Sequence, residues 1–172
     1  MTTTSTRKAD IREHITTHHQ RFLDVANNLR STDFDLPLYS GRNPDEWRVR
    51  GAIAHLDATA VALLHNAQAI AEGGDPLPLY FDLTRWNKNA VTKAIDMPVE
   101  TLLTNVERSH QKWLQFLQEI PVSHLSRRGR HALGDVLSIE GFMRRYAEHE
   151  AHHATEIRVA LRREHHYWVS GS

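Results

Sequence analysis

The 172-residue chain contains no cysteine, which excludes disulfides, thiolate metal ligands and a thiol nucleophile of the protein's own. Any thiol taking part in its chemistry must come from outside. Net charge is also missing: 21 Lys and Arg balance 21 Asp and Glu. That removes the electrostatic footprint of a nucleic-acid or anionic-membrane binder. No apolar run approaches the roughly 18 residues of a membrane span, and the opening Met1-Thr-Thr-Thr-Ser-Thr-Arg-Lys8 lacks the apolar centre of a secretion signal. The expectation is a soluble, cytoplasmic protein that uses neither nucleic acid nor membrane as partner. Internal repeats, heptad arrays, low-complexity segments and a credible strand pattern are absent as well.

Histidine is what the chain has in quantity, 13 residues in all. At that frequency about one pair spaced four apart arises by chance, so spacing carries weight only with helical phase and a third ligand. Two pairs have the spacing, His14 with His18 and His149 with His153. On a helix such a pair has its Cβ atoms roughly 5 to 6 Å apart, near enough for both rings to reach one ion.

The length fits one domain over residues 1–172, with 1–9 and 167–172 expected to be flexible. Four long segments read as helices. The first runs from about Asp10 to Arg30 with Ile11, Ile15, Phe22, Ala26 and Leu29 on one stripe. Turn-rich Ser31–Pro37 and Ser40–Pro44 follow. The second helix spans about Arg48 to Glu72, stops at Gly73-Gly74, and turns inward Ala52, His55, Leu56, Ala62, Leu63 and Ile70. Thr59 and Asn66 share that face and are expected to hydrogen-bond across the bundle. A proline-broken crossover, Asp75–Asp82, leads to a shorter helical stretch at about Leu83–Lys93. The third long helix starts near Pro98, carries Leu102, Leu103, Val106, Trp113, Leu114, Leu117 and Ile120, and ends at Pro121. Ser126–His131 reads as a basic loop, and the fourth helix runs from about Leu133 or Asp135 to Arg163. Its stripe, Phe142, Tyr146, His149, His153, Ile157 and Ala160, keeps both histidines on the inner face and turns Glu148 and His152 away. An all-α four-helix bundle with longer crossover connections follows.

Several separated segments carry a resemblance across most of the chain. They are Trp47-Arg-Val-Arg-Gly-Ala-Ile-Ala-His55-Leu56, then Trp86-Asn87 followed by Val91, Leu102 and Leu103, and His149-x-x-x-His153-x-x-x-Ile157. In order, they resemble the DinB/YfiT-like superfamily of metal-binding four-helix proteins. Arg48 departs from the pattern, standing where many members have a small hydroxyl residue as helix cap. The resemblance implies that His55, His149 and His153 bind a divalent metal, often nickel or zinc, between helices, and that the protein is a homodimer. Relatives include transferases using bacillithiol or mycothiol and a mycothiol-dependent isomerase. Others have no known activity.

Three imidazoles with an open coordination position suit a catalytic ion, which could lower the pKa of a water or keep a small thiol as thiolate. All-imidazole ligation does not choose among zinc, nickel, iron and copper. The reading is a metal-dependent enzyme acting on a small molecule, with thiol S-transfer as the specific expectation. The alternatives are a non-catalytic, metal-stabilised or ligand-binding bundle, and a metal-dependent hydrolase. No catalytic residue beyond the metal ligands is identified. Trp86, Asn87 and Arg145 are candidates for binding a cofactor, while Arg144 and Arg145 together otherwise form a solvated face. Trp47, Trp113 and Tyr146 read as core, Glu150 and Glu156 as possible orienters of ligand rings, and His165-His166 as complements of a helix dipole. His14 with His18 or His19 is the competing metal pair.

Overall fold

The computed structural model describes residues 2–39, 47–94 and 96–169, and the side chains of these except 2–5, 94 and 165–169. Five α-helices run in the order α1 (Thr2–Ala26), α2 (Val49–Ala71), α3 (Leu83–Ala94), α4 (Val99–Glu119) and α5 (Ile139–Val169). The four long helices α1, α2, α4 and α5 form the bundle, and α3 packs on α2. Gly51 lies in that contact, where an added Cβ would stand 3.5 Å from Val91.

The expected apolar stripes are the buried ones: Ile11, Ile15, Phe22 and Ala26 on α1, Leu102, Val106, Trp113 and Leu117 on α4, and Phe142, Tyr146, Ile157 and Ala160 on α5. They sort into two apolar clusters. One gathers Ile11, Ile15, Leu63, Trp113, Phe142 and Tyr146; the other gathers Phe22, Ile53, Leu56, Leu102, Val106 and Ile157. Between the two in sequence phase lie His19 on α1, His55 on α2, His110 on α4 and His149, Glu150 and His153 on α5. A polar layer therefore interrupts the core, with a histidine from each long helix. Trp113 stacks on Tyr146 with ring centroids 5.0 Å apart and planes 14° from parallel, a contact worth about 0.5–1.5 kcal/mol beyond its burial.

Helix ends follow local chemistry. Gly73, at φ 91°, accepts the left-handed conformation that closes α2, and Gly74 N–H donates to Ala69 O at 2.8 Å. Arg48 is the N-cap of α2 without a side-chain capping bond, and its guanidinium instead donates to Asp35 O. The helix begins where expected even though the hydroxyl cap is missing.

Three expectations are corrected. α1 begins at Thr2 rather than near Asp10 and ends at Ala26 rather than near Arg30, with a 3-10 turn at Ser31–Asp35 after it. The Ser126–His131 segment read as a loop carries β1 (Arg128–Arg130), which pairs antiparallel with β2 (Val136–Ser138) from the expected start of the fourth helix, Gly129 opposite Leu137. Strands this short cannot display an alternating pattern. The hairpin delays α5 to Ile139, beyond the expected start at Leu133 or Asp135. Gly134, at φ 93°, makes its turn. The Ser40–Pro44 turn falls outside the described residues.

Candidate metal centre

α5 places His149 and His153 one turn apart on its inner face, and α2 brings His55 against them. Nε2 of His149 stands 3.1 Å from Nε2 of His55 and 3.1 Å from Nε2 of His153. One ligand atom from each of the three residues lies within 4.8 Å of the others. Two ligands at about 2.0–2.1 Å from one ion, 90–110° apart, are roughly 3 Å from each other. The spacing fits a shared cation.

Protonation points the same way. Burial pulls the His149 imidazole down to about 2 and His55 to about 3, each pushed further by neighbouring histidine. His153 is also lowered by burial, partly offset by Glu156. Neutral imidazole is the form that ligates metal. His153 Nδ1–H donates to Glu156 Oε2 at 2.6 Å, so its Nε2 carries the free lone pair. Tyr39 O–H fixes the carboxylate by donating to Oε1 at 2.8 Å. Three ring nitrogens facing one point, those of His55 and His153 on buried residues and that of His149 on a half-buried one, share at most a proton or two among them, and a cation would satisfy every lone pair.

Beside the histidines opens a cavity of about 450 Å³. His55 and His149 form part of its wall, and Trp86, Asn87 and Arg145 line it as well. The cavity is largely apolar, with Leu63, Leu77, Phe81 and Leu133 supplying hydrocarbon surface. Thr59 and Asn66 also line it. Among the described residues the expected cross-bundle bonds are not seen: Thr59 Oγ1 lies 3.4 Å from the ring nitrogens of His55, on its own helix. The Asn87 side-chain oxygen is buried without a hydrogen-bond partner.

The two arginines separate. Arg144 pairs with Glu140 at 2.9 Å, whereas Arg145 turns to the cavity and reaches Asp135 with one nitrogen at 3.4 Å. Trp47 packs on His55, ring centroids 4.6 Å apart, so it walls the histidine cluster rather than filling a distant core. His131 lines the cavity too and was not singled out from sequence. Its hydrogen bond to Asp135, 2.9 Å, comes from the same short hairpin that left no sequence pattern.

The competing pair does not assemble a site. His14 and His18 are neighbours with ring centroids 4.1 Å apart, but His18 Nδ1 is engaged with His14 O, and the pair belongs to no three-ligand group among the described residues. His152 is exposed and lies 3.2 Å from Glu156. The His165 and His166 side chains fall outside the described ones. Of the two carboxylates expected to orient ligand rings, Glu156 meets His153, whereas Glu150 turns to His19, 3.0 Å away, and accepts a bond from Tyr146 O–H at 2.8 Å.

The chain is similar to known proteins over most of its length. A protein of Halalkalibacterium halodurans named "Putative metal-dependent hydrolase" is 26% identical over 130 residues, which is 74% of this chain and 72% of the relative. Among solved structures, YfiT of Bacillus subtilis, described as a "probable metal-dependent hydrolase with an unusual four-helix bundle topology", superposes with a TM-score of 0.74 at 16% identity, covering 91% of this chain and 87% of YfiT. A mycothiol-dependent maleylpyruvate isomerase gives 0.74 at 16% identity, covering 91% of this chain and 63% of the isomerase. The colibactin self-resistance protein ClbS, solved with double-stranded DNA, gives 0.73 at 12% identity, covering 90% and 95%. These likenesses establish a shared fold. The model of the DinB superfamily matches residues 14–157, and the chain, with its helical bundle, belongs to the DinB superfamily.

Proposed function

We propose that this protein is a divalent-metal-dependent enzyme in which His55, His149 and His153 hold the ion and the adjoining cavity receives a small electrophile, with an external low-molecular-weight thiol as nucleophile. The observation that carries the reading is the convergence of three neutral Nε2 atoms at the wall of a cavity of about 450 Å³. A bound divalent cation would supply Lewis acidity and hold the nucleophile in its anionic form near neutral pH. Because no side chain of this protein is a thiol, the sulfur has to arrive with a cofactor of the bacillithiol or mycothiol kind. The mycothiol-dependent isomerase of like fold supports a thiol at such a bundle.

The chain's own residues would do three things. Glu156 holds the His153 ring in the tautomer that leaves Nε2 free. The apolar wall around Leu77, Phe81 and Trp86 excludes water and accommodates a hydrocarbon body. Arg145 offers its guanidinium to an anionic group, since its one bond to Asp135 is long and leaves other donors available. Zinc and nickel both suit an all-imidazole set.

The second reading is metal-dependent hydrolysis, with water in the nucleophile's place, favoured by the names of the relatives. A single assay separates the two. Protein purified without a metal-affinity column is loaded with zinc or nickel, then given chlorodinitrobenzene with a low-molecular-weight thiol, and 4-nitrophenyl acetate without one. Turnover that needs the thiol and disappears in His149→Ala supports S-transfer. Thiol-independent ester cleavage lost in the same variant supports hydrolysis, and metal binding without either supports a non-catalytic bundle.

A further inference from the structure

His149 and Glu150 are consecutive in α5, so their side chains leave the helix about 100° apart. His149 faces α2, and Glu150 faces a second polar cluster formed with α1 and α4. There Glu150 Oε2 stands 3.0 Å from His19 Nδ1. His19 Nε2 stands 2.8 Å from Glu107 Oε2. The His19 ring lies against the His110 ring, centroids 3.7 Å apart. His19 and His110 are each 4% exposed and Glu150 is 1% exposed, so all three are withdrawn from water. His110 Nδ1 is buried with no hydrogen-bond partner.

We propose that His19, His110 and Glu150 form a second divalent-cation site, separate from the three-histidine cluster. One ligand atom from each lies within 4.8 Å of the other two. Their remaining polar atoms are arranged as those of metal ligands are. Glu107 takes the Nε2 side of His19, the carboxylate–histidine support that orients ligating imidazoles. Burial lowers the His19 pKa, but the bonds to Glu150 and Glu107 outweigh it and raise it, so an ion binds by displacing the proton that Nδ1 shares with Glu150 Oε2. Tyr146 O–H occupies Oε1 of Glu150, leaving Oε2 on the His19 side. The unpartnered nitrogen of His110 is the third donor.

The two rings are within 8° of parallel, and a cation must lie near the plane of each imidazole it binds. Ligation therefore requires His110 to tilt away from His19, a rotation that breaks no hydrogen bond at its Nδ1. Two imidazoles with carboxylate oxygen suit zinc, manganese, iron(II) and cobalt. On α4 the two contributing residues are spaced Glu107-x-x-His110, one helical turn, and so present carboxylate and imidazole on one face.

Metal stoichiometry tests this without any need for a substrate. Full-length protein is stripped, dialysed against buffered zinc, and measured by elemental analysis with circular dichroism as the control for folding. Wild type is expected to hold two zinc ions per chain. The His55→Ala, His149→Ala, His153→Ala variant is expected to hold one, as is the His110→Gln, Glu150→Gln variant, and the combination none. A triple variant of native helicity that binds no zinc overturns the second site. So does zinc in the triple variant that survives His110→Gln and Glu150→Gln with affinity changed less than about threefold. If the triple variant fails to fold, wild type against His110→Gln, Glu150→Gln decides: a fall from two to one supports the site, and an unchanged count overturns it. A wild-type count of one that is lost only with the three-histidine cluster leaves that cluster standing and removes this one.

Discussion

Glu156 accepts a hydrogen bond from Nδ1–H of His153 at 2.6 Å, while Tyr39 and His152 approach the other carboxylate oxygen at 2.8 and 3.2 Å. The carboxylate is thereby held from both sides and holds the imidazole in turn. A ligand ring fixed in this way loses little freedom on binding an ion. Replacing Glu156 by Ala should weaken zinc affinity about 10- to 100-fold while leaving far-UV circular dichroism unchanged. Competition against a chromogenic chelator measures it. An affinity equal to wild type would show that the 2.6 Å contact does nothing for the metal.

Metal should also stabilise the fold, because an ion that binds the native state and not the unfolded chain shifts the equilibrium by mass action. At a free concentration 100 times the dissociation constant the gain is about 2.7 kcal/mol per site. For a chain of this size each kcal/mol raises the unfolding temperature by about 2–4 °C. Thermal scans with zinc and with chelator should therefore differ by several degrees in wild type. His149→Ala should lose most of the part due to the three-histidine cluster, and whatever increment remains should vanish on adding His110→Gln. An undiminished zinc response in the double variant would place the ion elsewhere on the chain.

How far the site could be read from sequence depends on which residues share a helical phase. His149 and His153 continue the stripe through Tyr146 and Ile157, so their inward direction was legible, and His55 lies on the face of Ala52 and Leu56. The same test, applied one residue at a time, also puts His19 on the stripe of Ile15 and Phe22, and His110 on that of Val106 and Trp113. His110 was not singled out because it is a lone histidine on an apolar face, and His19 was weighed only as an alternative partner of His14 on its own helix. Glu150 was named as a candidate orienter of a ligand ring, but its direction was not legible. α5 packs on both α1 and α2, so it buries Met143, Ala147 and Ala154 in addition to the expected stripe, and a one-stripe reading leaves the direction of the second face undecided. The cavity was legible only through Trp86, Asn87 and Arg145, since His131 and Leu133 reach it from a hairpin too short to register as strands.

The ion pairs around Glu140 give a pH dependence of defined sign. Burial raises this carboxyl, but bonds from Arg7 at 2.7 Å and Arg144 at 2.9 Å outweigh it and hold the group below its ordinary value of 4.5. A carboxyl lowered by folding stabilises the native state above the unfolded pKa, and the contribution is lost as pH falls through the folded one. Glu140→Gln should cost about 1–2 kcal/mol near neutrality, discounted for the partial exposure of both arginines. Urea unfolding of metal-free protein should show that gap narrowing steadily below about pH 4.5. A gap that stays constant down to about pH 3, or widens, would contradict the assignment.

Asn87 sets stability against ligand binding. Its side-chain oxygen is buried without a partner at the wall of the cavity that also meets His55 and His149. An unsatisfied buried acceptor costs about 1–3 kcal/mol, a cost that a protein carries where the group has a ligand to meet. Asn87→Leu, close in shape and without the polar atoms, should raise the unfolding free energy of the ligand-free protein by up to about that amount. The same change should lower kcat/KM for any substrate whose donor reaches that oxygen, leaving zinc stoichiometry at its wild-type value. Chemical denaturation and elemental analysis on the same preparation test the first and last of these before a substrate is known. A variant less stable than wild type would show that the Asn87 oxygen is satisfied in the ligand-free protein, and the case for it as a ligand-facing acceptor would fall.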